Sequence, residues 1–284
     1  MSTDSSSTDS SSTDSASTDS ASTGQRRRFV LSDPHGHVDV LRSVLAEGGL
    51  VDSDGHWAGG DTRLFVLGDF FDRGPDGVGV VDLIMRLEAE AAAAGGAVAS
   101  LIGNHEALTI GMLRFGSGSP TGESQLAQMF ASSWLRNGGQ TSDQERLTDE
   151  HVAWLTGLPS IIVDDDLLLL HSDTVEYLAW GDTVDEINAA VRAALTGDAA
   201  DDAWLCWQRL TDRYAFMGDE GAAVARDLTT TLGGSRIVHG HSILPDLLGV
   251  APAEVTGPWS YADGLVLAID GGLYAGGPLL LIET

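Results

Sequence analysis

Residues 68–74 read Gly-Asp-Phe-Phe-Asp-Arg-Gly. The apolar run Leu64–Leu67 before them reads as a buried strand, and the apolar-periodic segment from Val78 to Ala94, after Pro75, reads as a helix. The seven residues therefore form a strand-to-helix loop at the carboxyl end of a strand, where open α/β sheets build their sites. Two carboxylates and an arginine framed by glycines are costly there unless something binds. The chemistry implied is a metal on Asp69 and an anion on Arg73.

Working outward, the same pattern recurs. Phe29–Leu31 is a short apolar strand ending in Ser32-Asp33-Pro34-His35-Gly36-His37, followed by a helix from about Val38 to Glu47. Ala97–Ile102 is a third strand, ending in the loop Gly103-Asn104-His105-Glu106. Right-handed crossovers in this β-α-β-α-β unit place the three loops along one edge. Leu167–Leu170, paired with Ile161–Val163 around the acidic turn Asp164–Asp166, ends at His171-Ser172-Asp173. Arg236–Val238 ends at His239-Gly240-His241, and the last strands are Leu265–Ile269 and Leu279–Ile282. Residues 107–158 and 183–232 are helical in pattern, the former reading as an insertion over the edge of the site.

Five strand ends thus carry polar clusters that, with His37 set aside, include five of the eight histidines: His35, His105, His171, His239 and His241. One such histidine could be a satisfied buried residue; five clusters in one chain point to a metal site. Asp, His and Asn donors without thiolate suit Mn, Fe, Zn, Ni or Co. A carboxylate able to bridge points to two ions, which can clamp both oxygens of a phosphoryl displacement. His37 reads as a helix-start residue.

Composition bounds the rest. The chain has 284 residues, a formal charge of −27, and 15 basic residues, all arginine. So acidic a surface argues against binding nucleic acid or anionic membranes. Cys206 is the single cysteine, so neither a disulfide framework nor a CxxC metal site is expected. No apolar run approaches the roughly 18 residues of a membrane span. No apolar core precedes Arg26–Arg28, so no secretory signal is expected and a cytoplasmic location is the default. Residues 1–25 hold Ser-Thr-Asp-Ser repeats with nothing to bury and read as a disordered, low-complexity tail; residues 26–284 read as one domain. Arg26–Arg28 are expected to solvate the start of the first strand.

The ordered motifs Asp33-x-His35-Gly36, Gly68-Asp69-x-x-Asp72-Arg73-Gly74 and Gly103-Asn104-His105-Glu106, with the later His171 and Gly240-His241, resemble the phosphoprotein phosphatase (PPP) family of calcineurin-like metallophosphoesterases, bacterial type. The resemblance extends over residues 29–284, including the Asp270-Gly271-Gly272 turn. It implies an α/β fold: a central β-sandwich flanked by helices, with a dinuclear metal site at the strand ends. It implies that Asp33 and His35 hold one divalent ion, that Asp69 bridges, and that Asn104, His171 and His241 hold the second, Mn being the expected metal. His105, oriented by Asp72, would be the general acid, with a metal-bridging hydroxide as nucleophile. Arg73, Asn104 and a second arginine would contact phosphate; Arg209 is the first choice and Arg213 the reserve. Gly-His favours His241 over His239 as ligand. Ser172-Asp173 stands where eukaryotic members often have two glycines. The implied activity is a serine/threonine protein phosphatase with possible dual specificity, acting on a phosphorylated protein or a small phosphoester. The alternatives are a dinucleoside polyphosphate (diadenosine tetraphosphate) hydrolase and a non-catalytic metal-binding scaffold.

Overall fold

A computed structural model of the chain describes residue 1 and residues 26–116 and 124–284. The expected disordered tail falls, apart from Met1, outside the described residues.

Two mixed sheets carry the fold. The first has the order β3 (Ala97–Ser100), β2 (Arg63–Val66), β1 (Arg28–Leu31), β9 (Leu281–Glu283). The second runs β4 (Ile161–Asp164), β5 (Leu167–Leu170), β6 (Arg236–His239), β8 (Val266–Ala268), β7 (Trp259–Tyr261). β1, β2 and β3 are parallel, as are β5, β6 and β8; the other strands pair antiparallel at the edges.

Strand periodicity builds the layers. Val30, Phe65 and Leu67 from the first sheet meet Leu167, Leu169, Val238 and Leu267 from the second in one interior cluster. Their alternating neighbours Leu31, Leu64, Val66, Leu168, Leu170 and Ile237 belong to a second cluster with the helices. Both faces of each sheet are therefore buried, which explains why these strands read as unbroken apolar runs. The arrangement is the expected sandwich flanked by helices. α1 (Val38–Glu47) buries Leu41 and Leu45, and α2 (Gly77–Ala93) buries Val80, Val81, Ile84 and Leu87. Asp76 starts α2, its carboxylate accepting the Gly79 N–H at 2.8 Å.

The span expected to be helical after the third strand contains α3 (Asn104–Phe115), α4 (Gln125–Arg136), α5 (Thr141–Arg146) and α6 (Asp149–Gly157). Asn104, His105 and Glu106 are the first turn of α3 rather than a loop. α7 (Val184–Thr196), α8 (Ala200–Thr211) and α9 (Gly221–Leu232) precede β6, and α10 (Leu244–Leu248) follows it. Strand β7 is not among the expected strands, because its Trp-Ser-Tyr alternation is only three residues long. No helix among the described residues is long and apolar enough to cross a membrane.

Arg28 departs from expectation. It is only 4% exposed rather than solvating the strand start. Its guanidinium donates to the Asp164 carbonyl at 3.0 Å, to Asp166 at 2.8 Å and to Thr284 Oγ1 at 2.8 Å, tying the first sheet to the acidic turn of the β4–β5 hairpin. Arg63 joins by donating to Asp164 at 2.5 Å and Asp165 at 2.8 Å. Arg28→Ala is expected to lower stability by about 2 kcal/mol, reduced from the value for a buried pair because Asp165 and Asp166 stay solvated. An unchanged urea midpoint would show the tie to be idle.

Candidate active site

The carboxyl ends of β1, β2, β5 and β6 and the start of α3 bring the sequence-predicted residues together. Asp33, His35, Asp69, Asp72, Asn104, His105, His171 and His241 are all buried. Two groups of donor atoms stand close enough to hold an ion: His35, Asp69 and His105, and Asp69, His171 and His241, each with its ligand atoms within 4.8 Å of one another. Asp69 belongs to both. Asp33 lies outside these two triads but close by, Oδ1 standing 3.5 Å from His171 Nδ1 and Oδ2 accepting the His241 N–H at 3.2 Å.

The backbone is strained to achieve this. Nine non-glycine residues among those described have positive φ, and five are His35, Asp69, Asp72, Arg73 and His241. Such conformations persist only where surrounding contacts over-determine them, and they concentrate at functional sites. Two motif glycines have a related cause. A Cβ on Gly103 would fall 2.3 Å from Asp69 Oδ1, and one on Gly240 would fall 2.3 Å from Asp33 Oδ2. A side chain at either position would displace the carboxylate beside it.

Hydrogen bonds set each imidazole. His35 Nδ1–H donates to the Phe71 carbonyl at 3.0 Å, and His171 Nδ1–H to the Leu67 carbonyl at 2.8 Å. His241 Nε2–H donates to the Thr211 carbonyl at 3.1 Å, which leaves Nδ1 for the site. This carbonyl-fixed tautomer is the usual way a metal-binding histidine is aimed. His239 is different: Nδ1 meets the Gly240 carbonyl at 2.8 Å and Nε2 the Tyr261 hydroxyl at 2.9 Å, and the residue belongs to neither donor triad.

The donor set fits cations on two observations. His171 Nε2 carries a lone pair and faces two more acceptors, Asn104 Oδ1 at 2.9 Å and Asp69 Oδ1 at 3.4 Å. Acceptors converging in a buried space repel unless a positive charge lies among them. Asp33 Oδ1 is buried without any hydrogen-bond partner. Burial, together with the Asp270 and Asp69 charges, pushes the Asp33 carboxyl well above its usual range. Burial also acts to raise Asp69, but the imidazoles around it, His171 foremost, hold that carboxyl far below the usual range.

His105 is set apart by its partner. Its Nδ1–H donates to Asp72 Oδ2 at 2.6 Å, leaving Nε2 3.8 Å from Asp69 Oδ2. Burial disfavours the His105 cation, yet the Asp69 charge and the Asp72 hydrogen bond outweigh it and raise the pKa. Arg73 donates to His35 Nε2 at 3.2 Å and lies 3.7 Å over the ring of Tyr274.

Arg209 is not brought to the site. It stays on α8 with its guanidinium 5.3 Å from the Trp180 ring centroid and its Nε 3.6 Å from Glu176. Of the two candidates, Arg213, past the end of that helix and with its guanidinium 5.9 Å from the Tyr214 ring centroid, is the one whose charge acts on His171 and His241 and, after Arg73, on Asp270.

Two carboxylates received no role from sequence. Glu106 accepts three backbone N–H groups, from Asp69 (2.8 Å), Phe70 (2.7 Å) and Gly103 (2.9 Å), and so pins the loop that opens the site to the start of α3. Burial, with the Asp69 charge, pushes its carboxyl up to about 8 against the pull of those donors. Glu106→Gln turns an amide donor toward one N–H and is expected to cost about 2 kcal/mol of stability, read by urea unfolding; no loss would mean that the donors are satisfied otherwise. Asp270 follows β8 and is 2% exposed, its carboxyl pushed up to about 6 by burial and the Asp69 charge. Its position directly after an apolar strand was the available signal, the same one that marked the other clusters.

The chain was compared with known proteins. Shewanella-like protein phosphatase 2 of Arabidopsis thaliana is 34% identical over 84 residues, 30% of this chain and 22% of the relative. Shewanella-like protein phosphatase 1 of Plasmodium berghei (strain Anka) is 31% identical over 80 residues, 28% of this chain and 22% of the relative. The matched segment thus spans little more than a fifth of either relative. A solved cold-active protein tyrosine phosphatase superposes with a TM-score of 0.69 at 25% identity, covering 92% of this chain and 74% of that one. A protein serine/threonine phosphatase from Saccharomyces cerevisiae shares the fold, with a TM-score of 0.54 at 16% identity over 88% of this chain and 68% of that one. The calcineurin-like phosphoesterase profile matches residues 27–245, a span that takes in the strand-end clusters from Asp33 to His241, and the chain therefore belongs to the calcineurin-like phosphoesterase family.

Proposed function

We propose that the chain is a metal-dependent protein phosphatase of the bacterial PPP type, hydrolysing phosphorylated side chains of proteins. The observation that carries this reading is the sharing of buried Asp69 by two donor triads, with the His105–Asp72 pair beside it at 2.6 Å. Asp33, His35, Asp69, Asn104, His171 and His241 would hold two divalent ions, Mn the first choice. Bound there, the ions supply Lewis acidity and lower the pKa of water. The protein groups do the rest. Arg73 binds phosphate oxygens through its planar fork, and Arg213 takes the second position in place of Arg209. Asn104 contributes a side-chain amide to the same phosphate. His105 delivers a proton to the departing alkoxide, and Asp72 keeps its ring in the orientation that presents Nε2. The intact acid pair is what separates this reading from a binding scaffold. The similarity to the protein phosphatases named above supports a phosphoprotein substrate.

The test is an assay of the Mn-loaded full chain on phosphoserine, phosphothreonine and phosphotyrosine peptides, with diadenosine tetraphosphate alongside. Dephosphorylation of at least one peptide class is expected. Rapid cleavage of the dinucleotide with all peptides untouched would overturn the reading.

A further inference from the structure

Asp173, two residues past His171, is fully buried, and its contacts lie far along the chain. Its Oδ2 accepts the Tyr214 backbone N–H at 3.0 Å, and its Oδ1 accepts the Ser242 hydroxyl at 2.5 Å. Its carbonyl accepts the Ala215 N–H at 2.9 Å. Thr174 Oγ1 next to it donates to Asp212 Oδ2 at 2.7 Å, and the Thr211 carbonyl accepts from His241 at 3.1 Å. In the segment 211–215, which follows the last turn of α8, these ties take hold of every residue except Arg213. Tyr214 is held at a φ of 73°, a conformation that a tyrosine keeps only where its neighbours impose it. A glycine at position 173 has no carboxylate with which to do this.

We propose that Asp173, supported by Thr174, is a positioning residue that locks segment 212–215 in one conformation and so presets the Arg213 side chain for phosphate. The inference rests on the reading of Arg213 as a phosphate-binding arginine. Its physical basis is preorganisation: a long side chain on a clamped backbone loses less freedom when it binds.

The test measures the affinity of the Mn-loaded full chain for inorganic phosphate by calorimetry. The proteins are the wild type, Arg213→Ala, Asp173→Ala and the double variant, with bound Mn and melting temperature recorded for each. Arg213→Ala and Asp173→Ala are each expected to weaken phosphate binding about tenfold. The double variant is expected to be no weaker than Arg213→Ala, since Asp173 acts only through that side chain. If Asp173→Ala does not fold, Thr174→Val keeps side-chain volume and loses the tie to Asp212 together with the local acceptor of the Glu176 N–H; it is expected to weaken phosphate roughly threefold, and not at all in the Arg213→Ala background. An Arg213→Ala defect combined with no effect of the clamp variants, or with fully additive effects, overturns the inference alone. Wild-type phosphate affinity in Arg213→Ala removes the phosphate-arginine reading and the inference with it.

Discussion

Replacing His105 by Asn is expected to leave two metal equivalents bound and to lower turnover of phosphoserine peptides by about 10²- to 10⁴-fold. The imidazole is bound to Asp72 through Nδ1 at 2.6 Å, so only Nε2 is free to act in the site. The backbone N–H of residue 105, which donates to Asp69 Oδ1 at 3.0 Å, survives the substitution, and the first turn of α3 keeps its shape. The size of the loss should follow the leaving group. A serine alkoxide is a strong base and needs its proton as the P–O bond breaks, whereas p-nitrophenolate leaves without one. The variant is therefore expected to be much less impaired on p-nitrophenyl phosphate than on phosphoserine. His35, Asp69 and His105 also form one of the two donor triads, so the variant is a direct choice between two roles. Loss of bound metal, measured by elemental analysis, would make His105 a ligand and end its assignment as the acid.

Asp69→Asn is expected to abolish turnover and to lower metal occupancy at both positions. The carboxylate is shared by the two triads and is 2% exposed, so its loss leaves both donor sets incomplete. An amide keeps one acceptor oxygen but removes the negative charge that the surrounding imidazoles and any bound cations require. Stability gives a second readout. A ligand that binds only the folded state stabilises by about 4 kcal/mol at a thousandfold excess over its Kd. Wild-type protein is expected to gain melting temperature when Mn is added to metal-stripped protein, and the variant to gain little. Retention of two full equivalents of Mn by Asp69→Asn would remove the shared-ligand assignment.

Much of the candidate site was legible because its signals are local. A strand buried on both faces is a short apolar run, and a polar cluster directly after it sits at the carboxyl edge of the sheet. Asp33, His35, Asp69, Asn104, His171 and the His239/His241 pair could each be placed at that edge by this rule, and the family resemblance chose among them. Gly103 and Gly240 accompany them because a Cβ there would press on a carboxylate oxygen at 2.3 Å. Asp270 obeys the same rule and was passed over only as a site residue. Arg28 was misread because its partners, Asp164 and Asp166, lie more than 130 residues away.

The opening loop, residues 68–74, shows where sequence stops. Its order of Asp69, Asp72 and Arg73 sets which groups are available, because a strand-to-helix turn this short offers few other arrangements. By itself, then, the sequence determined the succession of strands and helices and the polar clusters at the strand ends, since both follow from short-range periodicity and local turn chemistry, while the sandwich was implied by the family resemblance. Tertiary structure alone separated the two candidate arginines. Arg209 and Arg213 are four residues apart, but α8 ends at Thr211, so the first stays on a helix face beside Trp180. The second lies on a segment held by Asp173 and Thr174, some forty residues earlier in the chain. It likewise set the two late histidines apart, since His241 joins a donor triad while His239 meets the Tyr261 hydroxyl, which reaches it only when β7 pairs with β8.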